Sequence, residues 1–376
     1  METGSNRLEW IETAVFPAGD GTPPYFRIPA LLVSRTGTVL AFCEKRINPV
    51  PHNGDHAEND ILLRRSADGG RTWDPEQLVA TDGHNSLNNP TVVEVPETGR
   101  LILMYQRYPR DFHVAQVEPG YDGPRICRTF LRTSDDDGAA WSDPREITRA
   151  VKRSAEVRAT LCGPGIAVRL RRGPRRGRIV FPFYEGPGPY RVYAVYSDDR
   201  GETWHCGAPA AGADPTAGGG NENQVVELAD GTLLLNSRRS GPGPKCRKTT
   251  VSRDAGETWS ALTVESALPE PACQASILRL SDPLDDRRSR IIFSNPASEK
   301  DRVNGTVRLS YDEARTWPVA RAVPADGFFC YSCLAALPDG RIGLLYEHTP
   351  DKNRPITIMF ASFTLGWLTN GRDTGD

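Results

Sequence analysis

Short apolar runs rich in Val, Ile, Leu and Phe recur along the whole chain, and most are joined in pairs across turns that carry Gly or Asp-Gly. Runs of this length suit buried strands, and such turns suit hairpins. Six copies of the strand–turn–strand pattern stand out, at residues 28–42, 89–104, 163–183, 223–235, 275–293 and 333–346. A second pattern, S-x-D-x-G-x-T-W, follows five of them: SADGGRTW at 66–73, SDDDGAAW at 134–141, SDDRGETW at 197–204, SRDAGETW at 252–259 and SYDEARTW at 310–317. Two boxes are imperfect, with Ala140 in place of Thr and Ala314 in place of Gly.

A period of roughly 55–70 residues marks repeated supersecondary units. Six units of about four strands each predict an all-β chain folded as a six-bladed β-propeller of four-stranded antiparallel blades. The box reads as a stapled turn. An Asp side chain bonds backbone N–H groups just ahead of it, Gly supplies positive φ, and Trp buries an apolar face. Asp68, Asp136, Asp199, Asp254 and Asp312 are therefore structural, because five equivalent copies cannot share one active site. The sixth unit has no box. Its third strand is expected at 356–363, with residues 8–15 as an outer strand that closes the ring and removes the sheet edges.

The repeats make residues 1–376 a single domain. A net charge of −2 gives no case for nucleic acid or a polybasic membrane contact. No apolar run is long enough to span a bilayer, and the polar start shows no secretory signal. Eight scattered Cys have neither metal-ligand nor disulfide-framework spacing and read as reduced thiols, which suggests the cytoplasm. The C-x-x-C at Cys330 and Cys333 lacks a redox or zinc context and reads as two small strand residues. The arginine-rich stretch 169–178 reads as a solvated basic turn.

In a propeller the innermost strands line a central channel, and their entry ends point to one face. The residues at those ends are Arg27, Asn88 or Asn89, 162–164, 221–223, Cys273 with Gln274, and Cys330 with Tyr331. Polar groups from six units thus converge on one funnel, the default place for a ligand.

These residues carry a resemblance. The F-R-I-P motif at 26–29 resembles that of the exo-α-sialidases (neuraminidases) of bacterial and animal-cytosolic type, and the boxes resemble that family's Asp boxes. The resemblance covers roughly residues 7–367 and implies hydrolysis of terminal sialic acids from sialylated glycans, without metal or organic cofactor. It assigns three arginines to the substrate carboxylate: Arg27, Arg238 in L-N-S-R, and Arg302 in R-V-N-G-T-V-R. Arg239 and Arg308 are the near neighbours with which the last two could be confused. Guanidinium forks match carboxylates and stay charged.

The same resemblance makes Tyr331 the nucleophile and Glu222, in N-E-N-Q, its base. Sialidases with a Tyr nucleophile are a known exception to the two-carboxylate scheme. The anomeric carbon bears a carboxylate, so a neutral phenol avoids like-charge repulsion. Its ordinary pKa near 10 then calls for a base beside it. Asp55 is the implied acid/base, with Glu58 and Asp60 as alternatives and His52 and His56 close enough to tune it. Arg46 matches an arginine kept near the acid, Glu347 the carboxylate that holds the first arginine, and Asn89 and Gln274 are supporting residues. Phe26 stands where Tyr is commoner, and the Gly-rich stretch 211–220 is expected to shape the rim. Three alternatives stay open: a glycoside of a related ulosonic acid as substrate, transfer in place of hydrolysis, and a non-catalytic sialoside-binding propeller. The sequence carries no signal for oligomeric state.

Overall fold

The computed structural model of the chain describes residues 9–19, 23–47, 55–188, 190–211 and 218–375. His52 and most of the Gly-rich rim stretch (212–217) lie outside the described residues. The chain is all-β apart from short helical turns such as Thr148–Val151 and Leu365–Thr369. Each expected strand–turn–strand unit is present, and successive units form sheets whose first strands pack side by side in a propeller-like arrangement. Tyr25–Val33, for example, lies between Ser86–Val95 and Phe328–Ala336, and Ser276–Ser281 lies between Gly219–Glu227 and Phe328–Ala336.

Among the described residues, hydrogen bonding defines five sheets. Three have four strands, beginning at Gly219–Glu227, Ser276–Ser281 and Phe328–Ala336, and a fourth is built around Ile179–Gly186. The fifth has nine strands and runs from Tyr25–Val33 to Arg145–Glu146. It contains two of the expected units, linked by a single parallel bridge between Asn59 and Ser86. The third unit departs from expectation at its first strand. Pro164 and Gly165, at φ 122°, break it into Ala159–Cys162, Gly165–Ile166 and Val168–Arg169. The middle fragment pairs in parallel with Ser86–Val95 of the preceding unit.

The strand Trp10–Phe16 pairs antiparallel with Thr357–Phe363, so the start of the chain covers the outer edge of the last sheet. Trp10 stacks on Phe363 at 5.3 Å and lies 4.7 Å from Trp367, which gives this seam an aromatic core.

All five boxes adopt one geometry. In the first, Ser66 Oγ donates to Asp68 Oδ1 at 2.7 Å, Gly70 N–H donates to Ser66 Oγ at 2.8 Å, and Thr72 N–H donates to Asp68 Oδ1 at 2.9 Å. Thr72 Oγ1 closes the loop on Asp68 Oδ2 at 2.6 Å. Positive φ is required at the fifth position, where Gly70 has 89° and Ala314 adopts 63° despite its Cβ. A Cβ on Gly70 would sit 2.1 Å from the Phe360 ring, so the turn also needs glycine to pack against the neighbouring sheet. The tip of the basic stretch is exposed, as expected of a solvated turn, but its flanks are buried or paired. Arg178 is buried and donates to Asp198 at 2.8 Å and to Glu257 at 3.0 Å, and Arg171 and Arg172 are paired with Asp282. Through Glu257 and Asp282 these arginines tie the third unit to the fourth and the fifth.

The second box lacks the threonine hydroxyl but keeps the bond from Ala140 N–H to Asp136 Oδ1 at 2.9 Å. Ala140→Thr is expected to restore the missing hydrogen bond and stabilise the fold by about 0.5 kcal/mol. Denaturant unfolding of the variant beside the parent measures it, and a lower midpoint would contradict the closed-loop reading.

Candidate functional site

Four first strands bulge at the same level. Register slips between Arg27 and Ala30, Asn88 and Thr91, Gly220 and Asn223, and Phe329 and Ser332. A bulge breaks the two-residue alternation and re-aims side chains. The residues inside these bulges include Ile28, Asn89, Glu222 and Tyr331. Ile28 and Asn89 sit at φ 59° and 56°, an uncommon conformation and a strained one for a β-branched residue.

The bulged ends open into one cavity of about 580 Å³. It is lined by Arg27, Arg46, Asp55, Asn89, Glu222, Arg238, Arg302 and Tyr331, eight of the ten residues singled out from the sequence. The other two lie behind the wall. Glu347 is fully buried; its Oε1 accepts from Arg27 Nε and from Ile28 N–H, both at 2.7 Å, and its Oε2 accepts from Tyr331 N–H at 3.2 Å. Gln274 spans the channel below. Its Nε2 donates to Ser332 O at 3.0 Å and Pro164 O at 3.3 Å, and its Oε1 accepts from Ser332 N–H at 2.9 Å.

At the centre, Tyr331 Oη donates to Glu222 Oε1 at 2.5 Å. Arg238 Nη1 donates to Glu222 Oε2 at 2.7 Å and to Tyr331 Oη at 3.1 Å. The Arg27 and Arg302 guanidinium carbons stand 5.5 and 5.4 Å from the Tyr331 ring centre. Burial pushes the phenol pKa well above its ordinary value and the Glu222 charge adds to this, against the pull of Arg238 and Arg302. Both effects favour the neutral phenol, and Glu222 is the carboxylate within hydrogen-bond reach of its proton. Burial works against the Arg27 charge, but Glu347 outweighs it and holds the guanidinium firmly protonated.

The near neighbours lie outside the cavity. Arg308 points away to Asn295 Oδ1 at 2.9 Å, and Arg239 Nη1 donates to Gly241 O at 3.3 Å; neither lines the cavity. Glu58 is paired with Arg110 at 3.6 Å, and Asp60 is buried in the strand Asn59–Ser66. Asp55 alone of the three acidic candidates lines the cavity, with 49% of its side chain exposed. Burial pushes its pKa up, but Arg46, His113 and the hydrogen bond from His56 outweigh that and hold it below the usual aspartate value. Arg46 is itself set by Glu44, whose Oε2 accepts from its Nη2 at 2.7 Å.

Residues 53–344 match the family model described as a BNR repeat-like domain. The sialidase of Paraclostridium sordellii is 30% identical over 365 residues, covering 89% of this chain and 85% of that protein. The chain belongs to the sialidase family. The sialidase of Micromonospora viridifaciens is 38% identical over 358 residues, covering 92% of this chain and 52% of that relative, so the chain spans about half of its length. Among solved structures, the Hadza microbial sialidase Hz136 superposes with a TM-score of 0.83 at 28% identity, covering 95% of this chain and 69% of that one.

Several wall residues of this sialidase-family cavity escaped the sequence reading: Tyr108, Tyr184, Tyr190 and His113. Tyr184 lies near the end of the strand Ile179–Gly186 and accepts from Asn89 Nδ2 at 3.3 Å. Its position at the exit end of a second strand was a usable signal, since second strands return to the same face. His113 lies in a loop with no repeat to mark it.

Glu347→Gln would place an amide N–H₂ against Arg27, Ile28 N–H or Tyr331 N–H, all donors. The expected loss is about 3 kcal/mol of stability, as when one partner of a buried ion pair is removed. Denaturant unfolding measures it; a change below about 1 kcal/mol would show that the carboxylate is not what holds these bulges.

Proposed function

We propose that this chain is a retaining exo-α-sialidase that hydrolyses terminal sialic acids through a sialyl-tyrosine intermediate. The observation that carries this reading is the 2.5 Å Tyr331–Glu222 contact within a cavity that also presents Arg27, Arg238 and Arg302. A site built only to bind an anionic sugar would need the arginines but not a buried phenol donating to a carboxylate.

In this reading the three arginines grip the substrate carboxylate, each guanidinium able to donate in a fork. Asp55, at the open side, protonates the departing glycosidic oxygen. Tyr331 Oη attacks the anomeric carbon as its proton passes to Glu222, and the bond to the leaving sugar breaks. Water then attacks the same carbon from the side the leaving sugar vacated. It gives a proton to Asp55, and Tyr331 leaves by recovering its proton from Glu222. Two inversions give net retention. The substrates are sialylated glycans, and glycosides of related ulosonic acids share the carboxylate that the arginines recognise.

The same reading takes the ring as six-bladed. The nine-stranded sheet holds two first strands, Tyr25–Val33 and Ser86–Val95, each with its own bulge, and its halves meet in one bridge. Counted separately, they give six blades.

The test is Tyr331→Phe assayed on an aryl sialoside beside the parent. Turnover is expected to fall by about three orders of magnitude or more. NMR of the first-formed product in the parent reaction should show the α-anomer. Near-parental turnover in the variant, or a β-anomer as the initial product, would refute the tyrosine mechanism.

A further inference from the structure

The groups that face the cavity differ in how they are held. Arg27, Glu222, Arg238 and Tyr331 come from strands, whereas Asp55 sits on a turn that precedes the strand Asn59–Ser66. One anchor of this turn is the bond from Ser86 Oγ to Asp55 O at 2.8 Å. A second is the bond from Ile47 N–H to Glu58 O at 2.9 Å, and further anchors come from the loop at residues 109–117, which follows the strand Arg100–Tyr108 of the next unit.

That loop grips the turn at three points. Asp111 N–H donates to His56 O at 2.9 Å, Arg110 pairs with Glu58 at 3.6 Å, and the His113 ring meets the His56 ring edge-on at 6.0 Å. His56 in turn contacts Asp55, Nδ1 to Oδ1, at 3.5 Å. His113 is itself fixed: its N–H donates to Gln116 Oε1 at 2.8 Å, its C=O accepts from Gln116 N–H at 2.7 Å, and Ala115 N–H donates to its Nδ1 at 3.3 Å. Both rings line the cavity beside Asp55.

We propose that His113 and His56 are positioning residues: a two-ring clamp, delivered by the 109–117 loop, that holds the Asp55 carboxyl where a leaving glycosidic oxygen takes its proton. The inference rests on the reading of Asp55 as the acid. It assigns the clamp a role confined to proton delivery, because neither ring contacts Tyr331, Glu222 or the three arginines among the described hydrogen bonds and ring contacts.

A poorly placed acid harms substrates in proportion to how much their leaving group needs a proton. A sialyl-lactoside, which leaves as an alcohol, needs it; a 4-methylumbelliferyl sialoside, which leaves as a stabilised phenolate, scarcely does. In His113→Ala, kcat/KM on the lactoside should drop about tenfold or more, and on the aryl sialoside less than about threefold. His113→Phe keeps the edge-on ring contact and should recover most of the lactoside rate. Equal losses on both substrates, no loss on either, or no recovery with Phe would overturn the clamp. Hydrogen exchange gives a readout that needs no turnover: the amides of residues 55–58 should exchange faster in His113→Ala. Unchanged exchange would overturn the clamp even if the parent proved inactive on both sialosides, a result that by itself would instead refute the proposed function.

Discussion

One buried carboxylate sets the seam where the ring closes. Glu347 stands on the strand Ile342–Thr349 of the last sheet and takes three donors: the Arg27 side chain, the Ile28 N–H and the Tyr331 N–H. A charge fully removed from water is tolerable only when its lone pairs are met by donors with good geometry. Here meeting that demand bends two strands at once. Ile28 is forced to positive φ, and Tyr331 leaves the strand alternation and turns into the cavity. The group that neutralises Arg27 therefore also places the phenol next to it. Ring closure and site assembly are one event, so the first and last sheets cannot drift without separating Arg27 from Tyr331.

The same device recurs around the ring. Glu44, on the second strand of the first unit, accepts from Asn89 N–H of the next at 2.8 Å, and Gln106, one unit further, accepts from Cys162 N–H at 3.0 Å. In each case a second-strand side chain reaches forward to a backbone N–H on the first strand of the next unit. Such an N–H costs free energy unless it is satisfied. The repeat thus solves one backbone problem three times, and two of the solutions use a carboxylate that also holds an arginine, Arg27 or Arg46, facing the cavity. Structural satisfaction and charge placement are performed by the same atoms.

This explains what could be read in advance. Hairpin turns, the five boxes and the apolar strands are local signals, so the all-β units and the covering strand at 10–16 were legible, as was the family through F-R-I-P and its companions. Arg27, Tyr331 and Glu222 were legible because they flank apolar runs at equivalent places in the repeat. The bulges were not: nothing in the local pattern announces positive φ at Ile28, whose β-branched side chain argues against it. The carboxylate that accepts from the Ile28 N–H lies 319 residues away. The break in the third unit was visible only as a Gly-Pro-Gly, and its parallel pairing with the neighbouring sheet depends on contacts no single unit contains. The arginine-rich turn looked solvated because its acidic partners, Asp198, Glu257 and Asp282, lie in other segments of the sequence.

His113 and Tyr190 were missed for a related reason: irregular loops carry no period, so their residues cannot be placed by analogy among units. The division has chemical sense. Arg27, Glu222, Arg238 and Tyr331, which in the proposed reaction meet the substrate carboxylate and the anomeric carbon, ride on strands, and Arg302 stands just ahead of the strand Gly305–Ser310. The half-exposed Asp55, which in the proposed reaction meets the variable part of a glycoside, the leaving group, rides on a turn. Its carboxyl is drawn below the ordinary aspartate range because burial, which would raise it, is outweighed by Arg46 and the two histidines. A leaving sugar that entered would displace water from this side and weaken solvation of the carboxylate, which raises the pKa of an acid. In the proposed reaction, substrate arrival would thus move Asp55 towards the protonated form that an acid requires, while the same loss of water would strengthen the grip of the arginines on the substrate carboxylate.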